Sequence, residues 1–372
     1  MPGSAPAGGG VTTSGAGVTT SGGGVTTAKG WSSPWPGGWS TSRRLTISAL
    51  ALAVGCVAVT AVGLMVGSRA LPLTDVLAAL AGQDRGDASI IVWDQRLPRT
   101  LLGLLVGAAL GIGGAVAQGL TRNALADPGL LGVSAGAALA IVIGTLTFGI
   151  TALAPQVVLG VIGASAAGAT VLLLGTRSSI ATTPQGFALI GVAISAILGS
   201  IASTLVLLDA DTLDEYRFWL VGSLAGRGTS TLTSVAPVML VGIVLALACS
   251  PLLDALALGD DAAQALGVGL RRARLLAGAA VLVLTGAAVA AAGPIAFVGL
   301  AVPHAARALS GPRASWLLPF SGALGAVLLV TADILGRIVS RPSELQAGVV
   351  TALVGAPIAL LLIARARSAG PA

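Results

Sequence analysis

The chain has 372 residues, of which 55% are hydrophobic and only 9% are charged, and its mean hydropathy is +0.95. A soluble domain of this length needs far more charge on its surface, so the composition excludes a soluble fold for most of the chain. The net charge of +6 reflects an excess of arginine over acidic residues and does not indicate nucleic-acid binding.

The first 42 residues differ in kind from the rest. A five-residue segment that begins at Val11 recurs at Val18 and, in part, at Val25, within a run rich in glycine. One apolar residue in every seven cannot form a coiled-coil seam, so residues 1–42 are predicted to be a disordered cytoplasmic tail. Residues 43–368 are predicted to form the membrane domain, and residues 369–372 a short cytoplasmic end.

Apolar runs long enough to cross a bilayer dominate the membrane domain. The hydrocarbon core is about 30 Å thick, so a spanning helix needs about 20 mostly apolar residues. Lipid offers no partner for free N–H and C=O groups, so the spans must be helical. The predicted fold is an all-α, polytopic membrane protein with about ten transmembrane helices. The spans are placed near 45–66, 100–120, 130–150, 157–175, 186–208, 232–249, 274–292, 295–309, 316–336 and 346–363.

Ten spans put both termini on the same side of the membrane. An N-in/C-in orientation places the larger share of lysine and arginine on the cytoplasmic side, as the positive-inside rule requires. The span at 295–309 is short. Gly293-Pro294 interrupts the chain just before it, because proline lacks a backbone donor and restricts the residue that precedes it.

Few charged residues fall inside the predicted spans, so no machinery for proton or ion coupling is visible. Asp333 and Arg337 stand one helical turn apart, where an ion pair is a simpler interpretation than a transport role. The spans are instead rich in small residues, for example Gly103, Gly107 and Gly111 at intervals of four. Such residues let helix backbones approach closely, so a tightly packed bundle is expected.

The usual catalytic patterns are missing or out of context. Lys29, in the tail, is the only lysine, so the chain cannot hydrolyse ATP through a Walker A loop. His304 is the only histidine, and no cluster has metal-ligand spacing. Gly132–Gly136 matches the Gly-x-Ser-x-Gly nucleophile pattern, but it begins a predicted span, whereas the catalytic elbow follows a strand. No catalytic residue, metal site or bound cofactor is therefore predicted, and His304 is interpreted as structural.

Four ordered groups of motifs resemble one family, the permease subunits of FecCD-type ABC importers for iron–siderophores, haem and cobalamin. The motifs are Arg96–Arg99 with Gln118–Gly136, Leu258–Val268 followed by Arg271-Arg272, Ala292–His304, and Ala332–Arg337 with Glu344-Leu345 and Gly348–Pro357. Their order and spacing look like those of the family from about residue 45 to 367.

The resemblance implies a ten-span bundle similar to that of the cobalamin-importer permease. It further implies a second permease chain, identical or paralogous, and a dimer of cytoplasmic subunits that bind ATP and Mg. An extracytoplasmic binding protein would deliver the cargo, for which a ferric siderophore is the first expectation. Transport would proceed by alternating access, with the fifth and tenth spans lining the pathway.

The cytoplasmic segment 254–272 is too polar to insert into the membrane. Asp260 and Asp261 stand where they favour the dipole of a short helix. From the residues alone, an ordinary interfacial helix and a helix that transmits motion are equally open. The resemblance implies a coupling helix that docks on the ATPase, with Leu266 as an apolar anchor. The coupling residues are Leu258, Gly259, Asp260, Asp261, Ala263, Leu266, Gly267 and Val268.

Arg96, Arg99 and Arg337 fall on the predicted outer face, where positive charge runs against the orientation rule. Pairing with Asp94 or Asp333, or snorkelling, is one explanation of these positions. The resemblance implies instead that they dock acidic residues of the binding protein.

The predicted inner gate consists of two cytoplasmic turns that resemble the gate of related permeases. Its residues are Asn123, Leu125, Thr182 and Thr183. Asn123 has the alternative role of a helix cap, and Pro184 that of starting the fifth span. As whole-protein alternatives, a stand-alone secondary transporter would use broken helices such as that at Gly293-Pro294, and a structural membrane protein would transport nothing.

Overall fold

In the computed structural model, the described residues are 41–67, 71–83, 86–124, 126–177, 184–209, 213, 216–217, 219–340 and 343–368. Every regular element in these ranges is helical. The predicted tail lies outside them except for its last two residues, which already belong to the first helix. The predicted end at 369–372 also lies outside them.

The helices are numbered in chain order. They are α1 (Thr41–Met65), α2 (Leu73–Leu80), α3 (Asp87–Ile90), α4 (Leu97–Thr121), α5 (Val133–Phe148), α6 (Leu153–Arg177), α7 (Pro184–Val206), α8 (Thr229–Ala248), α9 (Ser250–Ala257), α10 (Asp260–Ala265), α11 (Leu270–Ala292), α12 (Val298–Ser310), α13 (Ala314–Val339) and α14 (Ala347–Ser368). A π-helical turn, Ile91–Arg96, joins α3 to α4, and a 3-10 turn, Pro128–Leu131, precedes α5.

Each of the ten predicted spans overlaps one of these helices, but the count of ten crossings is not confirmed. Within the described part of the chain, seven helices are long and apolar enough to cross a membrane. The helix α12 has 13 residues and α5 has 16, which correspond to about 20 and 24 Å against a core of about 30 Å. A glycine with positive φ limits the length of each helix. Gly149 (φ 62°) ends α5, and Gly293 (φ 75°) ends the helix before α12.

The centre of the bundle is formed by α4, α11 and α13. In the most apolar stretch of α4 and of α11, 78% of the residues are buried, against 17% in α1 and in α7. The α4 helix is also longer than predicted, because it continues outward through the π turn and α3 to Asp87. This extension carries Arg96.

Backbone contacts between α4 and its neighbours confirm the close packing expected from its glycines. A Cβ on Gly107 would overlap the Gly325 carbonyl of α13, and one on Gly111 would overlap the Ser321 carbonyl. Gly103 has more room, since a Cβ there would first meet the Leu224 side chain at 3.0 Å. Small residues therefore set the distance between α4 and α13.

Candidate functional sites

We call the end of the bundle that carries Glu344 the outer end and the end that carries Asp260 the inner end, following the predicted orientation. At the outer end, four side chains form an outer charge cluster: Arg99, Asp333, Arg337 and Glu344. Arg99 donates to Asp333 Oδ1 at 2.8 Å and to Glu344 Oε2 at 2.7 Å. Arg337 pairs with Asp333 one turn earlier in α13. The charges of the cluster therefore compensate one another.

Two arginines also hold the end of α1. Arg96 Nη1 donates to the carbonyls of Leu64 (2.7 Å) and Met65 (2.8 Å). Arg337 Nη1 donates to Gly63 and Val66, each at 3.1 Å. The last carbonyls of a helix have no partner within the helix and lie at its negative end. The two guanidinium groups, one on the extension of α4 and one on α13, therefore cap α1.

These contacts decide how the three outer arginines are held. Of the alternatives, pairing with Asp333 applies to Arg99 and Arg337, whereas Arg96 is held by α1. Arg96 and Arg337 are buried, with 6% and 2% of their surface exposed, and the Arg99 side chain is 13% exposed. Docking of a partner by these arginines remains a prediction.

Three outer turns are joined through their backbones. Ser223 N donates to Ala292 O at 2.7 Å, and Gly348 N donates to Gly222 O at 3.0 Å. Leu345 N donates to Gly336 O at 3.1 Å, which fixes the segment that carries Glu344. Gly222 has a φ of 73°, a conformation that favours glycine. These bonds place the charge cluster at the edge of a cavity.

That cavity has a volume of about 570 Å³ and lies between α5, the start of α6, and the segments at 219–227 and 344–346. Its wall includes Arg99, Glu344 and Arg227, together with Tyr216 and Trp219. The two aromatic rings stack with centroids 6.5 Å apart and an interplanar angle of 18°. Sequence reasoning missed Tyr216, Trp219 and Arg227. A usable signal existed, since Tyr216 is the only tyrosine in the chain.

At the inner end, the predicted short helix is present as α10, and Asp260 at its start joins three elements. Arg274 of α11 donates to Asp260 Oδ2 at 2.6 Å, and Arg122, just after α4, pairs with Oδ1. The hydrogen bond from Arg274, supported by Arg122, lowers the pKa of Asp260. Arg122 adopts a left-handed conformation with φ 49°. The predicted coupling segment is thus linked to α11 and to the end of α4.

The other predicted coupling residues divide by exposure. Leu258 and Leu266 expose 67% and 65% of their surface, whereas Ala263 is fully buried. Asp261 is exposed and Val268 is half-buried. The glycines that flank α10 turn the chain with positive φ, 108° at Gly259 and 79° at Gly267. The exposed leucines therefore flank α10 on both sides, whereas Ala263 within it packs against the bundle.

Only part of the predicted inner gate is described. Asn123 lies after the end of α4, and its carbonyl accepts from Ala126 N at 3.1 Å. Leu125, Thr182 and Thr183 lie outside the described residues. Asp127 caps the 3-10 turn by accepting from Gly129 N at 2.7 Å, and burial raises the pKa of Asp127.

The Gly-x-Ser-x-Gly pattern and His304 both lie in ordinary helical surroundings. A 3-10 turn, not a strand, precedes Gly132–Gly136, and Ser134 lies in the first turn of α5. His304 Nδ1 lies 2.8 Å from the Leu300 carbonyl of its own helix, which fits a structural role. In the portion of the chain with assigned positions, no three His, Cys, Asp or Glu side chains are grouped as a metal site would need.

Comparison with known proteins identifies the family. The chain is 43% identical over 311 residues to the ferric enterobactin transport system permease protein FepD of Escherichia coli, covering 84% of this chain and 93% of FepD. It is 42% identical to the Fe(3+) dicitrate transport system permease protein FecD of the same organism, covering 74% and 86%. A solved structure assigned to the metal-chelate type of ABC transporter, in an inward-facing conformation, matches with a TM-score of 0.75 at 28% identity. That match covers 86% of this chain and 99% of the solved chain.

The model of the FecCD transport family matches residues 54–365. With its membrane-spanning helices, the protein is a multi-pass protein of the cell membrane. The chain therefore belongs to the FecCD transport family.

Proposed function

We propose that this chain is the permease subunit of an ABC importer that moves a ferric siderophore, or a related chelate such as haem or cobalamin, into the cytoplasm. The observation that carries the proposal is the family match over residues 54–365, together with 43% identity to a ferric enterobactin permease. Alternating access powered by ATP is the mechanism that accompanies it.

Hydrolysis of ATP is assigned to a partner, a dimer of cytoplasmic subunits that bind ATP and Mg. This chain has a single lysine, Lys29, which lies in its N-terminal segment. The residues around Lys29 do not form a Walker A motif. The partner is proposed to dock on α10, where Leu258 and Leu266 offer exposed apolar side chains. Movement of α10 would reach the bundle through Asp260 and its pairs with Arg122 and Arg274.

An extracytoplasmic binding protein is proposed to dock at the outer charge cluster. Arg99 is the best placed of the three arginines, because its partner Glu344 is 31% exposed at the edge of the cluster. A carboxylate of the binding protein would compete with Glu344 for Arg99. Arg96 and Arg337 would leave the α1 carbonyls if they docked directly, so their proposed part is to hold this platform rigid.

A second permease chain is proposed to pack against α7 and α14, with the cargo pathway between the two copies. The most apolar stretch of α7 is 17% buried, and Leu353 of α14 is 68% exposed. The inner gate, at Asn123, Leu125, Thr182 and Thr183, belongs to the same proposal.

The proposal is tested by replacing residues 258–268 with a Gly/Ser linker of equal length. We expect the ATPase subunit to co-purify with the intact chain and not with the replacement, because the linker removes both exposed leucines and Asp260. Uptake of labelled ferric siderophore, haem and cobalamin into cells that lack the native gene identifies the cargo. As a control, the L240A variant removes a leucine that is 54% exposed on α8 and should retain both properties.

If no ATPase subunit co-purifies even with the intact chain while chelate uptake persists, a stand-alone secondary transporter is the correct function. If deletion of the chain changes no uptake, a structural role is correct.

A further inference from the structure

Arg227 is a cationic side chain on the cavity wall. It lies in the turn before α8, where its backbone N–H donates to Leu224 O at 3.4 Å. Among the residues with assigned positions, no carboxylate pairs with its guanidinium. Burial accordingly lowers the pKa of Arg227 from its usual value. A partly buried positive charge is unfavourable unless a negative group compensates it, so an anionic ligand at this wall would be stabilised.

Trp219 supplies a second unmet group on the same wall. Its Nε1–H is buried and has no acceptor within the described structure. Buried donors of this kind are rare in native proteins, and each requires an explanation such as a ligand or an ordered water. The ring itself stacks on Tyr216. The wall therefore offers a hydrogen-bond donor beside two aromatic faces.

The rest of the wall does not cancel this charge. Arg99 is neutralised by Asp333 and Glu344, which leaves Arg227 as the net charge among the assigned lining residues. The α5 helix contributes apolar side chains to the wall, including Ile141 and Val142. The volume of about 570 Å³ lies in the range of about 300–1,000 Å³ that is typical of small-molecule sites. The cavity is larger than the space that one carboxylate side chain of a docked protein would fill.

We infer that this outer cavity binds an anionic ferric chelate that carries aromatic groups, such as a tris-catecholate. Arg227 would donate to its negatively charged oxygens, Trp219 Nε1 would donate to a further oxygen, and the Tyr216 and Trp219 rings would contact its aryl groups. The inference rests on the proposed function. It adds a site within one permease chain and a charge preference that favours anionic over neutral chelates.

The test measures equilibrium binding of radiolabelled iron chelates to the intact permease–ATPase complex in lipid nanodiscs. The probes are a ferric tris-catecholate, which is anionic, and a neutral ferric trihydroxamate. R227Q should weaken tris-catecholate binding by about tenfold or more, since a charged hydrogen bond is lost. Trihydroxamate binding should stay within about twofold. R227K should recover part of the loss, and W219F should weaken tris-catecholate binding while keeping the ring.

R217Q is the matched control. It removes the same charge from the same segment, but Arg217 is exposed and is not on the cavity wall. An effect of general surface charge would alter R217Q and R227Q equally, and that result would overturn the inference. Assembly of each variant is checked by co-purification of the ATPase, and W219F carries the test if R227Q does not assemble.

Two further outcomes separate this inference from the proposed function. If R227Q weakens association with the binding protein but not binding of either chelate, the cavity receives a protein carboxylate, and the inference fails while the importer stands. If the unmodified complex imports chelates yet binds neither probe, the inference also fails alone. Failure of the ATPase to co-purify with the unmodified chain, with no uptake of any chelate, would instead refute the importer.

Discussion

The two ends of the bundle use the same chemistry, arginine paired with aspartate, in opposite surroundings. At the outer end, Asp333 and Arg337 each expose 2% of their side-chain surface. At the inner end, Asp260, Arg122 and Arg274 expose 39%, 41% and 46%. Breaking a buried pair leaves an uncompensated charge in a poorly solvated site, whereas exposed pairs contribute little. The outer end is therefore built to keep its shape, and the inner end can rearrange at low cost.

This difference fits the proposed roles of the two ends. A platform that orients a binding protein benefits from side chains that are already fixed, as Arg96 and Arg337 are by the α1 carbonyls. A segment that follows an ATPase must instead change its contacts during each cycle. Gly259 and Gly267, both with positive φ, allow α10 to join its neighbours through sharp turns.

The largest effect is expected from breaking the outer cluster at Asp333. D333N leaves the charges of Arg99 and Arg337 without their shared carboxylate and should lower the free energy of unfolding by about 3–5 kcal/mol. Thermal unfolding of the purified protein in detergent measures this. E344Q is the control: Glu344 is 31% exposed, so its loss should cost at most about 1 kcal/mol. Equal losses in the two variants would remove the distinction between buried and surface pairs.

A smaller effect is expected from the outer turn at Gly222. G222A places a Cβ on a residue with φ 73°, close to the Pro294 carbonyl oxygen. We expect a loss of about 1–3 kcal/mol in stability. The matched substitution G226A concerns a glycine with φ 69° whose Cβ would meet nothing within 4 Å, so it isolates backbone strain from the clash. If G222A were no worse than G226A, the joined outer turns would not be rigid.

The smallest effect is expected at the inner end. D260N should cost less than about 1 kcal/mol, because the carboxylate and both arginines are exposed. The pKa of Asp260 is lowered by Arg274 and Arg122, so the stabilisation is fully present above the unfolded pKa of about 3.9. It is lost as the pH falls through the depressed folded pKa. The difference in melting temperature between wild type and D260N should thus be constant from about pH 5 to 8 and vanish in strong acid.

D261N serves as the control, because Asp261 neighbours Asp260 and is also exposed. It should lower the melting temperature less than D260N does across the same range, because it removes only an interaction with the helix dipole and no ion pair. A D260N defect that appeared only above neutral pH would contradict the assignment of the carboxylate as the responsible group. High salt should reduce the D260N difference, since exposed pairs are screened.

The sequence by itself determined the fold class, the approximate positions of the ten apolar helices and the family. Hydropathy is a local property, so each apolar run could be recognised from its own residues, and the interruption at Gly293-Pro294 was likewise visible. The number of full membrane crossings could not be predicted, because it depends on where helices such as α5 and α12 end in three dimensions. The family motifs could be recognised because each consists of residues that are adjacent in the sequence.

Only the tertiary structure decided what the functional side chains contact. Arg99 and Glu344 are 245 positions apart, and Arg96 contacts the end of α1, 32 positions earlier in the chain. Nothing in the local sequence states that an arginine caps a distant helix. The outer cavity was not predictable either, because its wall combines residues from segments that are far apart in the sequence. The surroundings of Arg227 are another case, because they depend on the packing of segments that are distant in sequence.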